Sequence, residues 1–169
     1  MHDLAALIEP HVPALRRYAW ALLRDDAAAD DLVQDCLERA ISRWHLRRRD
    51  GNLRAWLFAI LHNRFISDRR RQQRRGQHTA IDELAVEPAS PADTESAAVQ
   101  RDVLAALALL PDEQRAVVLL VGVEDLSYEA AARVLGVPIG TVMSRLSRGR
   151  EKLRRYLDGE RPAMLRRVK

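Results

Sequence analysis

The segment from Leu126 to Arg155, LSYEAAARVLGVPIGTVMSRLSRGREKLRR, constrains the fold of this chain more than any other. Its apolar residues recur at helical spacing on both sides of a Gly-Val-Pro break, the pattern of two short helices joined by a tight turn. Ser127 is suited to cap the first helix and Glu129 to its first turn. Gly136, directly after Leu135, supplies a left-handed stop, and Pro138 has the fixed φ that suits a new helix start. On the second helix Val142, Leu146, Gly149 and Leu153 fall on one side, while Thr141, Ser144, Arg145, Arg148, Lys152 and Arg155 fall on the other. One face packs. The other offers the hydroxyls and guanidiniums that read base edges in a major groove. A solvated basic surface helix shows the same pattern, so the rest of the chain has to decide between the two.

With 169 residues the chain has room for one ordinary domain or two small ones. Apolar residues make up 47% and aromatics only 5%, with Ala, Leu and Arg dominant, a balance that favours helices over sheets. The net charge of +4 is mild, but the charges are segregated. Arg64 to Arg75 holds six Arg and one Asp, and Arg145 to Lys169 holds ten basic residues and three acidic ones. Between them, Gly76 to Gln100 holds five acids and no Lys or Arg. Two basic zones flanking an acidic connector are the electrostatic footprint of a polyanion partner. Cys36 is the only cysteine, so neither an internal disulfide nor a multi-cysteine zinc site can be built. No apolar run approaches the roughly 18 residues of a membrane span, and the N-terminus lacks a signal-peptide pattern. These features predict a cytoplasmic protein.

Helical periodicity runs from Leu4 to about Leu23 with Pro10 and Pro13 marking an interruption, and again from Ala27 to Trp44. The polar stretch His45 to Asn52 contains Asp-Gly and reads as a loop. A third long helix is predicted from Leu53 to about Arg75, apolar at first and arginine-rich in its second half. Periodicity is lost from Gly76 to about Asp93 and returns at Thr94. Pro111 then breaks the pattern, and Asp112 is placed to cap a helix running through Val117, Val118 and Val121. The predicted fold is all-α: two small helical domains, 1–75 and 94–160, joined by a flexible acidic linker at 76–93 and followed by a basic tail at 161–169. The second domain contains the helix-turn-helix.

The second predicted helix carries DDLVQDCLERA, Asp30 to Ala40. Asp31, Gln34 and Asp35 stand at i, i+3 and i+4, sharing one face opposite Val33, Cys36, Leu37 and Ala40. DLVQD, a polar loop, a W-L-x-x-I-x-x-N helix from Trp56 to Asn63 and an Arg-rich end together resemble region 2 of bacterial sigma factors. LPDEQR at Leu110 to Arg115, the Tyr128, Glu129, Ala131 pattern and PIGTVMSRLSRGREKL resemble sigma region 4. Domain order, the short linker and the missing sigma-3 domain resemble the small extracytoplasmic-function (ECF) group of the sigma-70 family. The resemblance covers nearly the whole chain, in two independent sets of motifs.

The resemblance implies a set of roles by position. The DLVQ helix would dock on the clamp coiled coil of core RNA polymerase through Asp31, Gln34 and Asp35, by charge-assisted hydrogen bonds. The loop His45 to Asn52 would capture an unstacked base of the minus-10 promoter element, with Asn52 at its end. Asn63, Ser67, Arg70, Arg71 and Arg74 would meet bases and phosphates of the opening duplex, where flipping a base costs a few kcal/mol. Thr141, Ser144, Arg145 and Arg148 would read the minus-35 element, with Lys152 and Arg155 on phosphates. Met143 departs from the pattern, because many relatives place Arg there. Core RNA polymerase, promoter DNA and an anti-sigma factor are the implied partners, a stress response is the context the resemblance suggests, and no membrane insertion is implied.

Trp56, spaced with Ile60 on an apolar segment, is predicted to be core, and Cys36 to be a small core residue. His62 reads as a helix residue beside the minus-10 surface. The five histidines show no metal-ligand spacing, and no catalytic set or Gly-rich phosphate loop is evident, so neither metal, cofactor nor enzymatic activity is expected. Two other classes fit parts of the chain: a stand-alone helix-turn-helix regulator, and a sigma-like decoy that binds an anti-sigma factor. The linker adds a geometric expectation. Promoter elements about two DNA turns apart require roughly 70 Å between the domains. A connector of about 20 to 25 residues reaches that span only when extended at about 3.3 Å each, and relaxed it spans roughly 25 to 30 Å. A compact free or inhibited state and an extended polymerase-bound state follow.

Overall fold

The computed structural model describes residues 2–76 and 95–160, and these are helical throughout, with no strand among them. The first unit comprises α1 (His2–Ile8), α2 (Val12–Leu23), α3 (Asp26–Ser42) and α4 (Leu53–Arg74). The second comprises α5 (Glu95–Ala108), α6 (Asp112–Val118), α7 (Tyr128–Leu135) and α8 (Ile139–Leu157). The acidic connector and the basic tail lie outside the described residues.

Helix boundaries follow local chemistry. A 3-10 turn at Glu9–His11, with Pro10 in it and Pro13 in the first turn of α2, separates α1 from α2. Arg24 adopts a left-handed φ of 55° and ends α2, and Asp25 then caps α3 by accepting from the Ala28 N–H at 2.8 Å. Asn52 caps α4 in the same way, through the Ala55 N–H at 3.0 Å. Ser127 caps α7 by accepting from the Ala130 N–H, and Gly136 closes it at φ 65°, as the sequence predicts. Asp112 does not cap α6. Pro111 occupies the cap position, and the Asp112 carboxylate turns to Arg115 at 3.1 Å and Arg69 at 3.4 Å. Two cationic guanidiniums attract it more strongly than a single amide does.

Tyr18, Leu15, Leu22, Leu57, Phe58, Leu61 and Phe65 are fully buried where α2, α3 and α4 meet, with the Tyr18 and Phe58 rings edge to face at 5.3 Å. Cys36 lies in this core, as expected, and burial pushes its thiol up to about 12. The second unit is built on Leu110, Val117, Leu120, Val134, Val142 and Leu146. Gly149 lets α8 cross α6 closely, since a Cβ there would sit 2.8 Å from Val118 Cγ2.

The two units are packed on each other, with α7 against α4, and α5 and α6 against the end of α2. Polar groups fix the join. After α6 a π-helical turn at Leu119–Val123 and a left-handed Asp125 (φ 56°) carry Glu124 into the interface. The Glu124 side chain is 1% exposed and is gripped from the first unit. Arg17 donates to both of its oxygens at 2.8 Å, and Arg54 donates to Oε2 at 2.8 Å and to the main-chain oxygen at 3.0 Å. Arg115, also buried, donates to the carbonyls of Leu107, Ala108 and Leu110 that α5 leaves open at its end, and across the join to the Leu22 carbonyl at 3.3 Å.

Candidate nucleic-acid interface

α4 presents different chemistry on each side. Asn63, Ser67, Arg70, Arg71 and Arg74 are exposed on its outer side, and the three arginines have no ion pair among the described residues. The row continues the line of Trp56, which is half-buried and meets Trp44 edge to face at 6.0 Å. Trp56 therefore closes the rim of the core instead of lying inside it. Asn52 spends one side-chain oxygen on the α4 cap, which leaves its amide NH2 free to donate. The loop before it is partly ordered: Trp44–Leu46 forms a 3-10 turn, the Arg47 guanidinium lies 4.6 Å from the Trp44 ring centre, and Leu46 is 69% exposed.

His62 is turned inward, not toward the outer row. It is buried against Tyr18, whose hydroxyl lies 3.0 Å from Nδ1. Burial, reinforced by the Arg145 charge and opposed by Asp112, holds the imidazole down at about 4, so it is neutral at pH 7. One step of 100° along the helix separates the buried imidazole from the exposed Asn63 amide.

On α3, Asp31 is exposed, Gln34 donates to Glu38 at 3.2 Å, and Asp35 meets Arg64 of α4 at 3.0 Å. These three residues line one side of an open groove of about 510 Å³ between α3 and α4, with Arg64, Asp68 and Gln72 on the other. The structure thus brings the three proposed docking residues into one polar trough.

α8 divides less evenly than its sequence implies. Ser144 and Arg148 point outward, with the Ser144 hydroxyl donating to the Thr141 carbonyl at 3.1 Å. Thr141 and Lys152 are half-buried, and Arg145 leans back to Glu113 of α6 at 3.6 Å, its side chain 25% exposed. Arg155 pairs with Glu151 at 3.4 Å. Ile139 and Met143, one turn apart on the opposite flank, are exposed.

Residues 8–62 match the family described as the sigma2 domain of PhyR, and residues 100–153 match region 4 of sigma-70. The chain is 39% identical over 150 residues to the ECF RNA polymerase sigma factor EcfG of Rhodopseudomonas palustris, covering 88% of this chain and 82% of that one. It belongs to the ECF sigma-factor family. This ECF sigma factor also resembles the solved structure of the sigma factor RpoE in complex with the anti-sigma factor NepR from Bartonella quintana, at 35% identity and a TM-score of 0.80, covering 95% of this chain and all of that one. The PhyRSL–NepR complex from Sphingomonas sp. Fr1 shares the fold at 24% identity and a TM-score of 0.65, over 95% and 93% of the two chains.

Sequence reasoning missed the residues that join the two units. Glu124 and Asp125 follow the apolar run Val117 to Val123, and an acidic pair at the end of such a run is the one local sign of a buried carboxylate. Arg17 and Arg54 lie in segments read for apolar periodicity, where a lone Arg carries no signal of its partner. Among the described residues there is no group of acids, His and Cys that could hold a metal ion, and no helix long and apolar enough to cross a membrane.

Proposed function

We propose that this ECF sigma factor acts in the cytoplasm as a non-catalytic specificity subunit, docking on core RNA polymerase and directing it to a class of promoters. The observation that supports this reading is the pairing of two exposed cationic surfaces, on α4 and α8, with the polar trough between α3 and α4, within a chain that matches sigma families in both halves. Asp31, Gln34 and Asp35 dock on polymerase. Asn52, Asn63, Ser67, Arg70, Arg71 and Arg74 engage the minus-10 element. Thr141, Ser144, Arg145 and Arg148 engage the minus-35 element, with Lys152 and Arg155 on phosphates. The functional units are 1–75 and 94–160, linked by 76–93 and followed by the tail 161–169.

An anti-sigma factor is the expected regulator, because the RpoE relative is solved in complex with one and its fold superposes over nearly this whole chain. The packed arrangement of the two units suits the compact resting form required by the connector's length. Engagement of both promoter elements then separates them. A role in a stress response is the context that the ECF resemblance implies.

The decoy reading draws on the match of residues 8–62 to the sigma2 domain of PhyR. A decoy has no use for DNA-facing cations, yet Arg70, Arg71, Arg74 and Arg148 are exposed with no ion pair among the described residues. Reconstitution with core polymerase decides between the two readings. Promoter-dependent initiation supports the sigma reading. Tight binding to an anti-sigma factor with no binding to core polymerase supports the decoy. Binding of duplex promoter DNA that core polymerase does not alter supports a stand-alone regulator.

A further inference from the structure

The face of α8 that is free to enter a groove is wider than its charges alone suggest. Arg145 rests 3.6 Å from Glu113 of α6, a surface pair weak enough to yield to a phosphate or base. Thr141 and Lys152 are half-buried on the same flank. The fully open edge of the first three turns is Ile139, Gly140, Met143, Ser144, Ser147 and Arg148.

Two large apolar side chains on that edge stay about half exposed. Met143 is 50% exposed and Ile139 41%, while the apolar residues of α8 that do pack, Val142 and Leu146, are 0% and 3% exposed. They stand one turn apart beside a hydroxyl and a guanidinium, at the N-terminal end of a helix whose other exposed groups suit DNA. On the floor of the major groove every hydrogen-bonding position is a polar edge, and the one apolar group is the C5-methyl of thymine. Methionine suits it well: an unbranched, polarisable side chain adapts to a methyl group whose position shifts with local DNA shape.

The geometry points to Met143 as a specificity-determining residue that packs on the methyl group of one thymine in the minus-35 element, with Ile139 extending the same apolar strip toward the sugar edge. This rests on the minus-35 role of α8. At Met143 the protein reads a base by its methyl group, where arginine would read guanine by two hydrogen bonds.

The test uses holoenzyme, reconstituted from core polymerase and the full chain, to select promoters from a library randomised at the minus-35 and minus-10 positions. Each thymine of the selected minus-35 duplex is then replaced singly by deoxyuridine, which removes only the methyl group. With the native protein one replacement lowers affinity about fourfold, the factor that corresponds to about 0.8 kcal/mol for one carbon removed from water. Met143→Ala binds the thymine and uracil duplexes alike, and Met143→Arg shifts the selected base at that position toward guanine. Equal uracil sensitivity of native and Met143→Ala holoenzymes at every position overturns the inference and leaves the sigma reading standing. Failure of the holoenzyme to select either element overturns the sigma reading itself. Met143 is at the surface, so neither substitution disturbs the core.

Discussion

The join between the two units makes a quantitative prediction through Glu124. Its carboxylate is fully desolvated and accepts three hydrogen bonds from two arginines of the other unit, all at 2.8 Å. Breaking a buried ion pair by removing one partner costs about 3 to 5 kcal/mol. Here that figure needs a discount, because the Arg17 and Arg54 side chains are 54% and 31% exposed and regain water when the carboxylate is lost. Glu124→Gln keeps the shape, removes the charge and places an NH2 donor against a guanidinium donor. We expect it to weaken closure by about 2 kcal/mol, roughly a thirtyfold shift toward the open form, since 1.4 kcal/mol is a factor of ten. The assay is fluorescence transfer between dyes on cysteines introduced at the exposed positions Leu46 and Leu157, one on each unit, followed along a urea series. Cys36 is buried and stays unlabelled. Glu124→Gln should open at lower urea than the native chain. In a double-mutant cycle with Arg17→Ala the two effects should be less than additive, because both remove the same contact. Opening curves that superimpose, or strictly additive effects, would refute the reasoning.

Four further outcomes are expected. The folded state holds His62 neutral with its pKa lowered from 6.5 to about 4, so its contribution is complete above pH 6.5 and is lost as pH falls toward 4. Between pH 7.5 and 5.0 urea denaturation should show a loss of about 2 kcal/mol, and His62→Phe should flatten that slope. Gly149→Ala places a methyl group 2.8 Å from Val118 Cγ2 and should cost about 1 to 3 kcal/mol in thermal unfolding, with Val118→Ala restoring part of the loss. Arg70→Ala and Arg74→Ala should each weaken promoter binding uniformly across sequences and reduce the salt slope by about one. Tying the units together with a short bis-maleimide across Arg69→Cys and Asp112→Cys should abolish initiation and leave binding to an isolated minus-35 duplex intact; a cross-linked holoenzyme that initiates normally would show that opening is unnecessary.

Much of the fold was legible because local chemistry agrees with it. The Gly136 stop, the Ser127 cap and the apolar faces of α3 and α8 need no information from beyond a few residues, and each appears where the periodicity places it. What was not legible depends on long-range pairing. His62 reads as a polar residue next to Asn63, and only the Tyr18 hydroxyl, 44 residues away in sequence, explains why it can be buried. Asp112 reads as a cap until Arg69 and Arg115 compete for it. Arg145 belongs by spacing to the cationic face, and only Glu113 on α6 explains why its side chain leans back and is 25% exposed.

The division of α4 suggests how closure controls activity. Phe58, Leu61 and Phe65 enter the core, Arg54 and Arg69 reach to the second unit, Arg64 turns to the docking trough, and Asn63, Ser67, Arg70 and Arg74 stay outside. Closure therefore uses cations of α4 that differ from those proposed for DNA, and leaves the proposed DNA row open. α7 packs on both α4 and α8, so the two helices proposed to read DNA belong to one packed body and cannot straddle elements roughly 70 Å apart. Under the proposed sigma role, closure inhibits by span and not by masking. A regulator has only to hold the units together, without covering either DNA surface, and core polymerase has only to offer docking sites far enough apart to outweigh the few buried charges at the join.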